Sequence, residues 1–259
     1  AVAVVGDDFP ASHRSMLESI EGIDLAGLET RAGSKTFRWG GKYLDNMDHR
    51  ETTFTDLNVL EEAPPVVPES YRDSTHVFLA NTHPAIQADM LSNFPSRRLA
   101  VADTMDLWID VANDDLKRLL GQVDGLALNY DEAELLAKTR NPVTAGRHLL
   151  DYGMTFVVIK KGEHGCILVH RDGIAALPAY PSETVVDPTG AGDSFAGGMM
   201  ATLVNARDPL DFDTIRRALV NATVVASFTI EDFSLDRLGR ISAGDVEARR
   251  AEFARMLHV

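Results

Sequence analysis

The stretch Val185-Val186-Asp187-Pro188-Thr189-Gly190-Ala191-Gly192-Asp193-Ser194-Phe195-Ala196-Gly197-Gly198 constrains this chain more than any other. Two β-branched residues run into a proline turn, two glycines flank an alanine, an aspartate follows, and the small and apolar residues 194–204 suit a buried helix. Glycines at such a junction let backbone N–H groups face outward, and a helix N-terminus adds about half a positive charge. The loop is therefore suited to an anion, with phosphate the obvious candidate. Asp193 puts a carboxylate where those N–H groups converge. Phosphoryl transfer needs a base for the attacking hydroxyl and donors for the charge that moves, and residues 190–193 offer both. The plain alternative is a tight glycine turn in which Asp193 only caps a helix.

The string from Asp187 to Gly198 strongly resembles the C-terminal signature of the ribokinase (PfkB-type) carbohydrate kinase family. That resemblance implies an ATP-dependent kinase acting on a hydroxyl of a sugar or nucleoside. It also implies a ribokinase-like α/β fold: a central, mainly parallel sheet flanked by helices, with a small β-strand lid. Asp193 would be the catalytic base, and Gly190, Ala191 and Gly192 the anion hole. Asp187 and Thr189 match positions that often help to hold a monovalent cation such as K+. At Gly192 a side chain is expected to crowd the phosphate and to penalise any left-handed backbone angle.

At 259 residues the chain is long enough to bury a large core, and we read 1–259 as a single ribokinase-like domain with lid strands within about 28–60. Its 25 Lys and Arg face 39 Asp and Glu, a net charge of −14, which argues against a nucleic-acid surface and gives no attraction to anionic lipid. No apolar run approaches the roughly 18 residues of a membrane span. Cys166 is the one cysteine, so no intramolecular disulfide can form; lying between Gly165 and Ile167-Leu168-Val169 it reads as a buried strand residue. A reducing cytoplasm fits.

Residues 1–6 read as a buried strand. Val4-Val5-Gly6-Asp7-Asp8-Phe9 resembles a later Val-Gly-x-Asp-x-(Phe/Tyr)-Gly segment of the family, which puts Asp7 on the substrate side. The family's opening strand and its sugar-gripping Gly-Gly-Asn segment are therefore expected to be absent from this chain. Residues 10–20 have helical spacing. Thr36-Phe37-Arg38-Trp39 and Lys42-Tyr43-Leu44 flank Gly40-Gly41, which reads as a hairpin turn, and residues 52–58 suit a further strand. In the family this part is the lid over the sugar site, and lids of this kind often pair, so a homodimer is expected. Phe37 and Trp39 either face a ligand or are plain core.

From His76 onward strands at 76–80, 99–102, 125–129 and 156–160 alternate with helices at 85–94, 113–122 and 144–152, the rhythm of a parallel sheet. Asn81 and Asp103 lie at strand ends where open α/β sheets bind ligands, so each is a substrate-side candidate or an ordinary turn residue. Asn129 and Glu132 match the family's Asn-x-x-Glu motif, which implies Mg²⁺ organised through water near the ATP phosphates. The same pair is also a helix capping box. Lys161-Gly162-Glu163-His164-Gly165 resembles the family's nucleotide-side loop, with Gly162 and Gly165 allowing close approach to ATP and Lys160 or Lys161 within reach of a phosphate. Strands at 166–170 and 174–177 and helices at 212–230 and 243–257 complete the chain. Asn221 and Ala222 match a region that contacts adenine in the family. Residues 227–233 lack a glycine usual before the last cation-site residue, which leaves the K+ site open.

No G-x-x-x-x-G-K-[ST] loop occurs, and no G-x-G-x-x-G follows an early strand, which disfavours a P-loop enzyme and a dinucleotide-binding dehydrogenase. The leading reading is a kinase of a small sugar. A nucleoside kinase of the same family, or a non-catalytic sugar- or nucleotide-binding protein of the same fold, are the alternatives.

Overall fold

A computed structural model describes residues 1–43 and 50–257. Leu44, part of the expected hairpin, lies outside the described residues. The chain divides into two compact units, one of Ala1–Thr75 with Ala85–Arg97, the other of His76–Pro84 with the chain from Arg98 on.

In the first unit β1 (Val2–Gly6) pairs in parallel with β2 (Gly27–Arg31) across the helix α1 (Ala11–Glu18). The expectation of a buried first strand holds only for Val5 and Gly6. A two-stranded sheet gives a strand one hydrogen-bonded neighbour and little cover, and α1 buries none of its residues. Gly40-Gly41 does not turn a hairpin. Instead β3 (Arg38–Tyr43) runs straight through both glycines and pairs antiparallel with β4 (Arg50–Asp56), with a register shift between them. Their missing side chains make room for rings: a Cβ on Gly40 would strike Phe54, and one on Gly41 would strike Trp39. The half-buried Trp39 donates its Nε1–H to Thr52 Oγ1 at 3.3 Å, so it lies along its own two-stranded sheet.

The second unit is built on a six-stranded sheet. Four strands run parallel, β5 (His76–Leu79), β6 (Leu99–Asp103), β7 (Gly125–Asn129) and β8 (Phe156–Lys160), and two antiparallel strands, β9 (Cys166–His170) and β10 (Gly173–Leu177), extend the sheet beyond β8. Its helices include α3 (Asp106–Val111), α4 (Asn113–Leu120), α5 (Tyr130–Ala137) and α6 (Pro142–Leu150), whereas α2 (Pro84–Ser92), which follows β5 in the chain, lies almost wholly in the first unit. Then come α7 (Ala191–Leu203), α8 (Phe212–Thr229) and α9 (Ala243–Leu257). The short α3 has no counterpart in the sequence reading.

Interior strands of a parallel sheet are covered on both faces and so read as continuous apolar runs, as in Phe156-Val157-Val158-Ile159. One face carries Leu99, Val101, Ala127, Phe156, Val158 and Leu168, packed with Phe195, Met199 and Leu203 of α7 and Ile215, Leu219 and Ala222 of α8. Successive side chains alternate between faces, so each of these strands shows every second residue to α7 and α8. Gly198 lets the two helices close up, since a Cβ there would lie 3.0 Å from the Ala222 Cα. On the other face α6 meets Val169, whose side chain would clash with any Cβ on Gly146.

Candidate active site

The same alternation decides which polar side chains meet. Asp103 follows Leu99 and Val101 at steps of two, Asn129 follows Ala127, and Lys160 follows Phe156 and Val158. All three therefore project from the α7 face at the carboxyl ends of adjacent parallel strands, with Asn129 paired in register to Lys160. In open α/β sheets this edge is where ligands bind. Lys161, one residue on, turns the other way and lays its ammonium 5.5 Å above the Tyr130 ring. Of the two lysines it is Lys160 that faces the glycine loop.

That loop starts α7 earlier than the apolar run suggests. Gly190 is the N-cap in a left-handed conformation (φ 79°, ψ −2°), and Ala191, Gly192 and Asp193 are already the first helical turn. The left-handed residue of the loop is thus Gly190, while Gly192 is helical. A glycine N-cap offers no side-chain acceptor, so first-turn N–H groups are left for something else. Ala191 N–H donates to Pro188 O at 3.1 Å. Among the described residues the N–H groups of Gly192 and Asp193 find no acceptor. Asp193 is exposed beside them.

Two buried carboxylates, Asp103 and Glu132, interact with the Lys160 ammonium. Asp103 Oδ1 lies 3.7 Å from Lys160 Nζ, and the two side chains keep 10% and 17% of their exposure. Burial raises the Asp103 carboxyl above the ordinary aspartate range, the Asp193 charge adds to the rise, and Lys160 and the Thr104 N–H oppose it. Glu132 is 6% exposed. Burial pushes it up to about 7, against the pull of Lys160 and the Asn129 N–H, while Asp103 and Asp106 add to the rise.

Asn129 and Glu132 form the capping box: Asn129 Oδ1 accepts the Glu132 N–H at 2.8 Å, and Glu132 Oε2 accepts the Asn129 N–H at 2.7 Å. Glu132 Oε1 makes no hydrogen bond among the described residues. This free oxygen on a buried acid leaves room for a second task beside the cap.

The remaining candidates are held more locally. Gly162 (φ 53°) and Gly165 (φ 81°) both take backbone angles that suit glycine, and a Cβ on Gly165 would strike Leu177 O. Asp187 Oδ1 accepts the Thr189 N–H at 2.9 Å, and the loop is tied to the end of α8 where Ile230 O accepts the N–H groups of Val186 and Asp187 at 2.7 and 3.4 Å. Asn81, beyond β5, accepts Trp108 Nε1–H at 2.8 Å and turns its amide to Met105 Sδ at 3.0 Å. Asn221 donates to Gly198 O at 2.8 Å, a link between α8 and α7. Asp7, in the first unit, accepts the Gly33 N–H at 2.6 Å.

This arrangement belongs to the ribokinase-like α/β fold. A nucleoside kinase of Methanocaldococcus jannaschii superposes with a TM-score of 0.78 at 18% identity over 97% of this chain and 80% of that one. A candidate ribokinase II of Escherichia coli, solved with ATP and Mg²⁺, gives 0.77 at 19% over 97% and 82%. Residues 96–237 match the model of the pfkB family carbohydrate kinases, and the chain belongs to that family. In sequence it is 28% identical over 232 residues to a cytidine kinase of Thermococcus kodakarensis, covering 86% of this chain and 80% of that protein. Among the described residues no helix is long and apolar enough to cross a membrane.

Proposed function

We propose that this chain transfers the γ-phosphoryl group of ATP to a hydroxyl of a sugar ring. The observation that carries the reading is the meeting of one ammonium, one exposed carboxylate and two N–H groups without partners at the start of α7. In this reading the Asp193 carboxylate takes the proton of the attacking hydroxyl. The N–H groups of Gly192 and Asp193, within the Gly190–Ala191–Gly192 loop, receive the charge on the moving group, and Lys160 neutralises it from the strand side. The sequence reading puts a small sugar first and keeps a nucleoside as the alternative. The cytidine kinase relative shifts our preference to the sugar hydroxyl of a nucleoside.

Asn129 and Glu132 are the residues we assign to Mg²⁺, held through water. Their donor set is all oxygen, Glu132 Oε1 is unengaged, and magnesium keeps most of its waters. Among the described residues no cluster of acids, histidines or cysteines forms a closed cage, which suits an ion shared with phosphates. When bound, the metal would neutralise charge on the ATP phosphates. Gly162, Gly165 and Asn221 remain assigned to nucleotide, Asp187 and Thr189 to a monovalent cation, and Asn81 and Asp7 to the acceptor. We also assign the whole chain to one catalytic unit that dimerises through its lid strands.

The test is coupled ADP release against a panel of nucleosides and free sugars with MgATP. We expect one nucleoside to exceed every free sugar in kcat/KM. Tight nucleoside binding with no ADP release would favour the non-catalytic alternative.

A further inference from the structure

Asp103 sits one strand from Asn129 and two from Lys160, and its place at a strand end suggests a substrate ligand. Its surroundings suit a different task. The residue is 7% exposed, and the same oxygen that faces Lys160 Nζ at 3.7 Å also accepts the Thr104 N–H at 2.9 Å. Lys160 in turn reaches the first turn of α7, where a Cβ on Gly192 would lie 3.2 Å from its Nζ. The ammonium therefore stands between a buried acid below and the helix N-terminus above.

We infer that Asp103 is a positioning residue whose carboxylate fixes the Lys160 ammonium at the Gly190–Gly192 loop, where the transferred phosphoryl group is neutralised. This rests on the kinase reading above. A lysine is a point charge on a flexible stem with three rotatable donors, and unlike arginine it has no planar fork to hold its direction. Left alone among N–H groups of a helix N-terminus, which also carry positive charge, it would turn away to solvent. An acid on its far side holds it in place. Glu132 contributes less to that hold, because its Oε2 is spent on the Asn129 N–H of the cap. Asp103 thus acts through Lys160 and touches neither acceptor nor phosphate.

The experiment compares Asp103→Asn, Lys160→Met and the double variant, reading kcat, acceptor KM, and calorimetric binding of MgATP and MgADP. Lys160→Met should lower kcat about 100-fold and weaken MgATP about tenfold more than MgADP, since only ATP carries the group being neutralised. Asp103→Asn should lower kcat about 10- to 100-fold with acceptor KM within about twofold. The double variant should be no slower than Lys160→Met within about threefold, as expected when one residue works only through the other. Asp103→Glu, which keeps the charge, should recover part of the loss and serves if the Asn variant does not fold. Acceptor KM raised tenfold or more by Asp103→Asn, or losses that multiply in the double variant, would overturn the inference and make Asp103 a substrate ligand. A wild type that binds MgATP but phosphorylates nothing would defeat the kinase reading instead. The preference for ATP over ADP, and its loss in both single variants, would still decide the role of Asp103.

Discussion

Gly192 and Lys160 share one small volume, for a Cβ on the glycine would lie 3.2 Å from the lysine ammonium. At Gly190, two residues earlier, a Cβ would make only an ordinary contact with Thr229 Cγ2 at 3.9 Å, but φ is +79°. The two glycines should therefore fail differently. Gly192→Ala displaces the ammonium and should lower turnover about 100-fold, the loss of about 3 kcal/mol of charge stabilisation, with little change in thermal midpoint. Gly190→Ala forces a left-handed residue and should cost about 1–2 kcal/mol of stability. A Gly192→Ala enzyme with full activity would mean that the ammonium there is a bystander.

Asp193→Asn keeps the shape of the side chain and removes the base. Turnover should fall roughly 100-fold or more while MgATP binding, by calorimetry, stays within a few-fold. Near-native turnover would show that the proton leaves by another route.

Glu132→Gln should separate cap from metal. Gln retains an oxygen for the Asn129 N–H, so the cap survives. Burial raises the folded carboxyl to about 7 from the ordinary glutamate value of 4.5, so the native state binds this proton more tightly than the unfolded chain does. Wild-type stability relative to the Gln variant should then decline as pH rises from about 4.5 to about 7 and level off above, by up to about 3 kcal/mol. Thermal midpoints from pH 4.5 to 8 read this out, and a difference that does not vary with pH would contradict it. If Glu132 also organises magnesium, the variant will need more Mg²⁺ for half-maximal turnover.

Cys166 is 2% exposed at the start of β9, and burial raises its thiol to about 12. A thiol-specific disulfide reagent at pH 8 should label it only after unfolding. Rapid labelling of the native protein would place this strand at an accessible edge.

Much of the second unit is legible in the sequence because apolar strands end abruptly at polar residues. The expected bounds 125–129, 156–160 and 166–170 coincide with β7, β8 and β9. The start of α7 was harder to read. Gly190, Ala191, Gly192 and Asp193 suggest a loop by composition, and only a left-handed N-cap lets the helix begin among them. The α3 helix, Asp106–Val111, is too short for a periodic signal. Gly40-Gly41 misled because glycine pairs usually turn the chain, and the rings of Phe54 and Trp39 that need their space are distant or adjacent in ways composition does not reveal. The choice between Lys160 and Lys161 needed only the two-residue alternation of β8. The partnership of Lys160 with Asp103 needed the strand order, which no local pattern carries.

The carbonyl of Ile230 receives the N–H groups of both Val186 and Asp187, and Thr229 donates its hydroxyl to Ser194 Oγ at 2.7 Å. The last turn of α8 and the signature loop are thereby fastened at three points. Fraying of that turn and opening of the loop should accordingly be one cooperative event, so that native-state hydrogen exchange at Val186 follows the protection of the helix end rather than that of an ordinary surface loop.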